Sequence, residues 1–160
     1  MFASPSSAVL DRRQLDFPPD RRGGGCVSEG IDFTRHALAV WHLTGPRAAD
    51  DTVLVAAEFL ANAAEHADGP LALGLEKHPG RLRIAVTDTS PARPRLQEDY
   101  RPDTPHGHGL ILVDRIAADW GWAADGGGKA VWAEVTIPSE PDPRPAHRAA
   151  RADPDPLFDN

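Results

Sequence analysis

Between Gly30 and Ile137 the apolar positions switch repeatedly between a helical and a strand period, and the switches mark out the elements. From Gly30 to Leu43, Ile31, Phe33, Leu38 and Trp41 share one side of a period of about 3.6 residues, and Thr44-Gly45-Pro46 ends it, which predicts a first helix. A second helix is predicted over Arg47 to Ala67, opened by Asp50 and Asp51 where the helix dipole favours negative charge. With Glu58 at zero and about 100° per residue, Val53, Leu54, Ala57, Leu60, Ala61 and Ala64 fall between roughly 200° and 320° and are expected to face the core. Asp51, Glu58, Asn62 and Glu65 fall within roughly 40° of zero, so a polar stripe borders the apolar one.

Beyond the turn Asp68-Gly69-Pro70, Leu71 to His78 and Arg81 to Asp88 read as two antiparallel strands joined at Pro79-Gly80. Residues Pro91 to Pro105 are rich in proline and charge without periodicity; a loop of that length inside a domain is expected to be a functional lid. His106-Gly107-His108-Gly109 then opens a helix in which Leu110, Val113, Ile116 and Ala117 are spaced to face inward. A last hairpin, Trp120 to Ala124 and Ala130 to Ile137, turns through Asp125 to Gly128. Arg12 to Phe17 reads as a short edge strand, Gly23-Gly24-Gly25 as a flexible joint, and Cys26 beside it as an incidental surface thiol. This order predicts an α+β fold, a two-layer sandwich with helices on one face of a mixed or antiparallel sheet.

The ends change the picture of the domain. From Ser139 onward proline alternates with charge and little can be buried, so residues 139–160 are expected to be a disordered tail, residues 1–11 a disordered N-terminus, and residues 12–138 one domain. A chain of 160 residues at 41% apolar content carries enough material for such a core. A formal net charge of −7 supplies no basic field, which argues against nucleic acid and acidic lipid as partners. No stretch approaches the ~20 apolar residues of a membrane span and no secretory pattern opens the chain, so a cytoplasmic protein is expected. Cys26 is the only cysteine, which excludes an internal disulfide and a cysteine-based zinc cluster.

Candidate chemistry gathers at a few positions. Glu58 and Asn62 stand one helical turn apart, where a carboxylate can orient a nucleophile and an amide oxygen can coordinate a hard cation. Asp88 closes an apolar strand before the proline-rich loop, placed to accept a hydrogen bond from an amino group such as adenine N6. Gly107 and Gly109 precede an apolar helix, whose free N–H groups and dipole can meet phosphate oxygens. Taken singly, each has an ordinary explanation as a solvated helix face, a strand-end cap or a hinge. Rival sites fail on their own requirements. A P-loop ending at Gly128-Lys129 needs glycine and a hydroxyl residue where Ala123 and Ala130 stand, and a dinucleotide fingerprint from Gly107 needs glycine at Leu112. His66, His106 and His108 lack the partners and spacing of a zinc site, and the four tryptophans read as core or hairpin packing.

The successive segments AAEFLANAAEHA, VTDTSPARP, HGHGLILVDRIA and GGGKAVWAEV resemble in order the boxes of the histidine-kinase-like ATPases, and within them the free-standing anti-sigma factor serine/threonine kinases. The likeness covers about Arg12 to Pro138. It implies a Bergerat-type fold that binds ATP with Mg²⁺. By that resemblance Glu58 is catalytic and activates the attacking hydroxyl or water, Asn62 binds Mg²⁺, Asp88 binds the adenine amino group, and Gly107, Gly109 and Leu110 lie beside the nucleotide. His66, Gly128 and Lys129 also match, with less defined chemistry. The family's Asp-x-Gly-x-Gly box reads Asp88-Thr89-Ser90-Pro91-Ala92, so neither glycine is in place and the backbone's approach to the nucleotide changes. The partners implied are a sigma factor, a small antagonist protein that accepts the phosphoryl group, and a second copy in a homodimer. A module that uses ATP only to gate protein binding is the alternative, and the carboxylate at Glu58 favours the kinase.

Overall fold

Alternation along Arg81–Asp88 builds the middle of the sheet: Leu82, Ile84, Val86 and Asp88 are buried on one face while Arg81, Arg83, Ala85 and Thr87 line the other. The computed structural model describes residues 8–94 and 109–138, and this strand, β3, is the third of five. β1 (Asp11–Asp16) and β2 (Pro70–His78) precede it; β4 (Asp119–Asp125) and β5 (Gly128–Thr136) follow. All neighbours pair antiparallel in the order β1-β2-β3-β5-β4, so among the described residues the sheet is open and antiparallel. β1 starts at Asp11, and Leu10 N–H already donates to the Lys77 carbonyl.

The helices α1 (Cys26–Val40), α2 (Pro46–His66) and α3 (Gly109–Ile116) supply the second layer, completing the α+β sandwich. Between the layers Phe17, Leu38, Phe59, Leu60, Leu73, Leu75, Ile84, Val113 and Val135 form one buried cluster. Among the described residues no helix is long and apolar enough to cross a membrane.

Two expectations are corrected. Cys26 is the buried first residue of α1 rather than a surface thiol, and burial pushes its thiol pKa up. α1 therefore starts at Cys26, ahead of Gly30, which lies where α1 crosses α2; a Cβ there would meet the Leu60 side chain. On α2 the buried residues are Thr52, Val55, Ala56, Phe59, Leu60 and Ala63, an arc from roughly 60° to 200° on the same wheel. Of the face expected to be buried only Leu60 is, while Leu54 and Ala64 are exposed. Apolar residues, many of them alanine, surround this helix, so hydrophobicity has no single arc; bulky Phe59 and the self-satisfied Thr52, whose hydroxyl donates to the Ala48 carbonyl at 2.7 Å, settle the orientation. The polar stripe still borders the core, with Asn62 next to Val55. Of the tryptophans expected in core or hairpin packing, Trp132 takes the hairpin place: its ring lies against Gly121 across β4 and β5, on the open face of the sheet beneath Arg83. Most of the expected lid, together with His106, Gly107, His108 and the segment 139–160, lies outside the described residues.

Candidate functional site

Connections decide which side chains meet at each end of the sheet. The loop from α2 to β2 is only Ala67-Asp68-Gly69, tied back by Gly69 N–H donating to the Ala63 carbonyl at 3.1 Å. Pro70 pairs with Asp88, so the C-terminal end of α2, with Asn62 one turn before His66, is delivered to the end of the sheet where Asp88 stands. Ala118 N–H donates to the Glu134 carbonyl, which anchors the end of α3 towards the far pole; Gly109 is the end of that helix away from it.

At the near pole, register places Asp88 directly opposite Lys129, the second residue of β5. Both side chains point to the helix-covered face, and Asp88 and Lys129 are only 4% and 7% exposed. Lys129 Nζ lies 3.0 Å from Asp88 Oδ1 and 3.0 Å from Oδ2, and donates at 3.3 Å to the Ser90 carbonyl. Ser90 N–H donates to Asp88 Oδ1 at 2.8 Å, and Ala92 N–H to Ser90 Oγ at 3.3 Å. Two strands and the turn after β3 are thereby tied into one polar node in an otherwise apolar layer. Gly128 permits the arrangement: a Cβ there would run into the Asp88 carbonyl oxygen.

Glu58 and Asn62 are half-buried on α2, on the stripe beside its buried arc. Leu110 is buried within the core cluster, directly after Gly109, the first residue of α3. His66 stands exposed at the end of α2, 3.7 Å from Glu65. The near pole thus gathers Asp88, Lys129, Gly128 and the Asn62 end of α2, and it leaves His66 in solvent. Ser90 was not singled out from sequence; an Asp-x-Ser turn at a strand end is the signal that points to it, because the aspartate can accept the N–H two residues on.

The donors and acceptors present suit an adenine nucleotide. An ionised carboxylate offers about four lone-pair sites, and the contacts above use three of Asp88's, leaving Oδ2 able to accept from an amino group. No group of three or more His, Cys, Asp or Glu that could hold a metal occurs among the described residues.

A family model for the histidine kinase-like ATPase domain matches residues 28–135, from α1 to the end of β5, and so includes Glu58, Asn62, Asp88 and Lys129. No curated protein matches the chain.

Proposed function

Because the chain belongs to the histidine kinase-like ATPase domain family, we propose that this ATP-binding regulatory protein is a serine/threonine kinase of the anti-sigma type, which phosphorylates a small antagonist protein and binds a sigma factor. The observation that carries this reading is Glu58, a carboxylate one helical turn from Asn62 on the half-buried stripe of α2 that leads to the Asp88 pole. A protein that only bound ATP would need no carboxylate there.

When bound, ATP supplies the γ-phosphoryl group and Mg²⁺ neutralises charge on the phosphates. Asp88 accepts from the base amino group, the Asn62 side-chain oxygen holds the cation, and Glu58 orients the acceptor hydroxyl and takes its proton. Location in the cytoplasm and a homodimer belong to the same proposal.

Glu58→Gln tests it. Replacement should leave ATP affinity within a few fold yet slow transfer to the cognate antagonist by ~10² or more, the scale for loss of a positioned base. Absence of both transfer and hydrolysis above the Glu58→Gln background in the wild type would replace the kinase with an ATP-gated binding module. A pull-down with and without ATP identifies the partner in either case.

A further inference from the structure

The Asp88–Lys129 node contains more hydrogen-bonding capacity than its internal contacts use. An ammonium has three N–H groups. One contact of Lys129 goes to the Asp88 carboxylate, shared between two oxygens at 3.0 Å each, and one to the Ser90 carbonyl at 3.3 Å. With the carboxylate contact taken as one bifurcated N–H, one N–H remains beside the one lone pair remaining on Asp88. Both side chains are more than nine-tenths buried, next to the apolar Val86 and Val131 on the same face. A stability role alone does not account for charges there, since a buried ion pair is often no more stabilising than an apolar pair of similar volume.

We propose that Lys129 is a specificity-determining residue that donates to N1 of adenine while Asp88 accepts from the 6-amino group, so that the pair reads the edge of the base. The inference rests on the nucleotide-site reading above and adds a second contact to it. Adenine presents a donor at the 6-position and an acceptor at N1, side by side. The buried pair presents an acceptor beside a donor. Hypoxanthine and guanine reverse both: their 6-oxo group would face the carboxylate and their N1–H the ammonium, and a buried mismatch of this kind discriminates strongly. Lys129 reaches this place only because β5 is in register with β3 at Asp88 and because Gly128 lets the strands close there.

The test is calorimetric titration of the full chain with Mg·ATP and with Mg·1-deaza-ATP, which keeps the 6-amino group and carries C–H in place of N1. The wild type should bind ATP about tenfold or more tightly than the 1-deaza analogue, the scale of a hydrogen bond from a charged donor. Lys129→Met should weaken ATP and bring the two ligands to within about twofold of each other, whereas a purely structural lysine would weaken both equally and keep their ratio. If Lys129→Met does not fold, Lys129→Arg keeps a positive charge beside Asp88 while moving the donor, and its ratio of ATP to 1-deaza-ATP affinity should likewise fall to within about twofold. Equal binding of the two ligands by the wild type, or a tenfold ratio that persists in a folded Lys129 variant, overturns the role of Lys129 alone. No binding of ATP by the wild type overturns the nucleotide-site reading beneath it.

Discussion

Strands β3 and β5 carry two cross-strand charge clusters whose surroundings could hardly differ more. On the open face Arg83 stands opposite Glu134, with Arg81 Nη1 at 2.8 Å and Arg83 Nη1 at 3.5 Å from its carboxylate oxygens, and the Arg83 guanidinium lies 4.2 Å over the Trp132 ring. On the helix-covered face, at the other end of the same two strands, Asp88 meets Lys129 out of water. The arginines of this cluster are partly exposed and Glu134 is half-buried, so its ion pairs are partly screened and contribute modestly, with further contact between the Arg83 guanidinium and the indole. In the buried pair the charges lose hydration, so its presence asks for a role beyond holding the strands together. Strand pairing is served by either cluster. The base-reading role proposed above falls to the buried one alone.

The sharpest way to break this comparison is to remove one buried partner. Lys129→Met should lower stability by about 3–5 kcal/mol, because it strands a buried carboxylate, while Asp88→Leu combined with Lys129→Met should recover most of that loss and still abolish ATP binding. Denaturant titrations of the three proteins, beside calorimetry with ATP, check this; full ATP affinity in the apolar double variant would sink the assignment of the site. A smaller effect is expected of Gly128→Ala, about 1–3 kcal/mol, since the added methyl group presses on the Asp88 backbone and pushes the node apart. Its ATP affinity should fall with its stability.

On the exposed side, Glu134→Ala should cost only about 0.2–1 kcal/mol, shrinking further at high salt, with ATP binding untouched. A loss as large as that of Lys129→Met would erase the distinction between the clusters. The smallest effect belongs to Asp11 on the edge strand, whose carboxyl is held below the usual carboxylate range chiefly by the Trp41 indole N–H, at 2.7 Å, and then by the Arg12 backbone N–H. A carboxyl with a depressed folded-state pKa stabilises above its unfolded value and loses that contribution as pH falls through the lower folded value. Melting curves of wild type and Asp11→Asn should therefore differ slightly at neutral pH and converge in acid.

Much of the fold is legible in the residues because its signals are local. Alternation in Arg81 to Asp88, the Pro79-Gly80 turn and the proline and glycine punctuation around α2 each act over a few residues, and the observed elements begin and end close to where those signals place them. The face of α2 is a different matter. Alanine around the helix makes several arcs equally apolar, and only its packing against α1, α3 and the sheet selects the one that carries Phe59 and Val55. Cys26 misleads for a related reason: three glycines before it suggest a loose joint, yet the chain turns there and the helix carries the thiol inward.

The sequence by itself determined the order of helices and strands, the Glu58–Asn62 stripe and the family's boxes, since each depends on spacing along a single segment. Only the tertiary structure decided that Lys129 answers Asp88. The two residues are 41 positions apart, with α3 and β4 among the elements between them. Their meeting depends on the register of β3 against β5, which no local pattern encodes, because a shift of one residue would turn the lysine to the opposite face of the sheet.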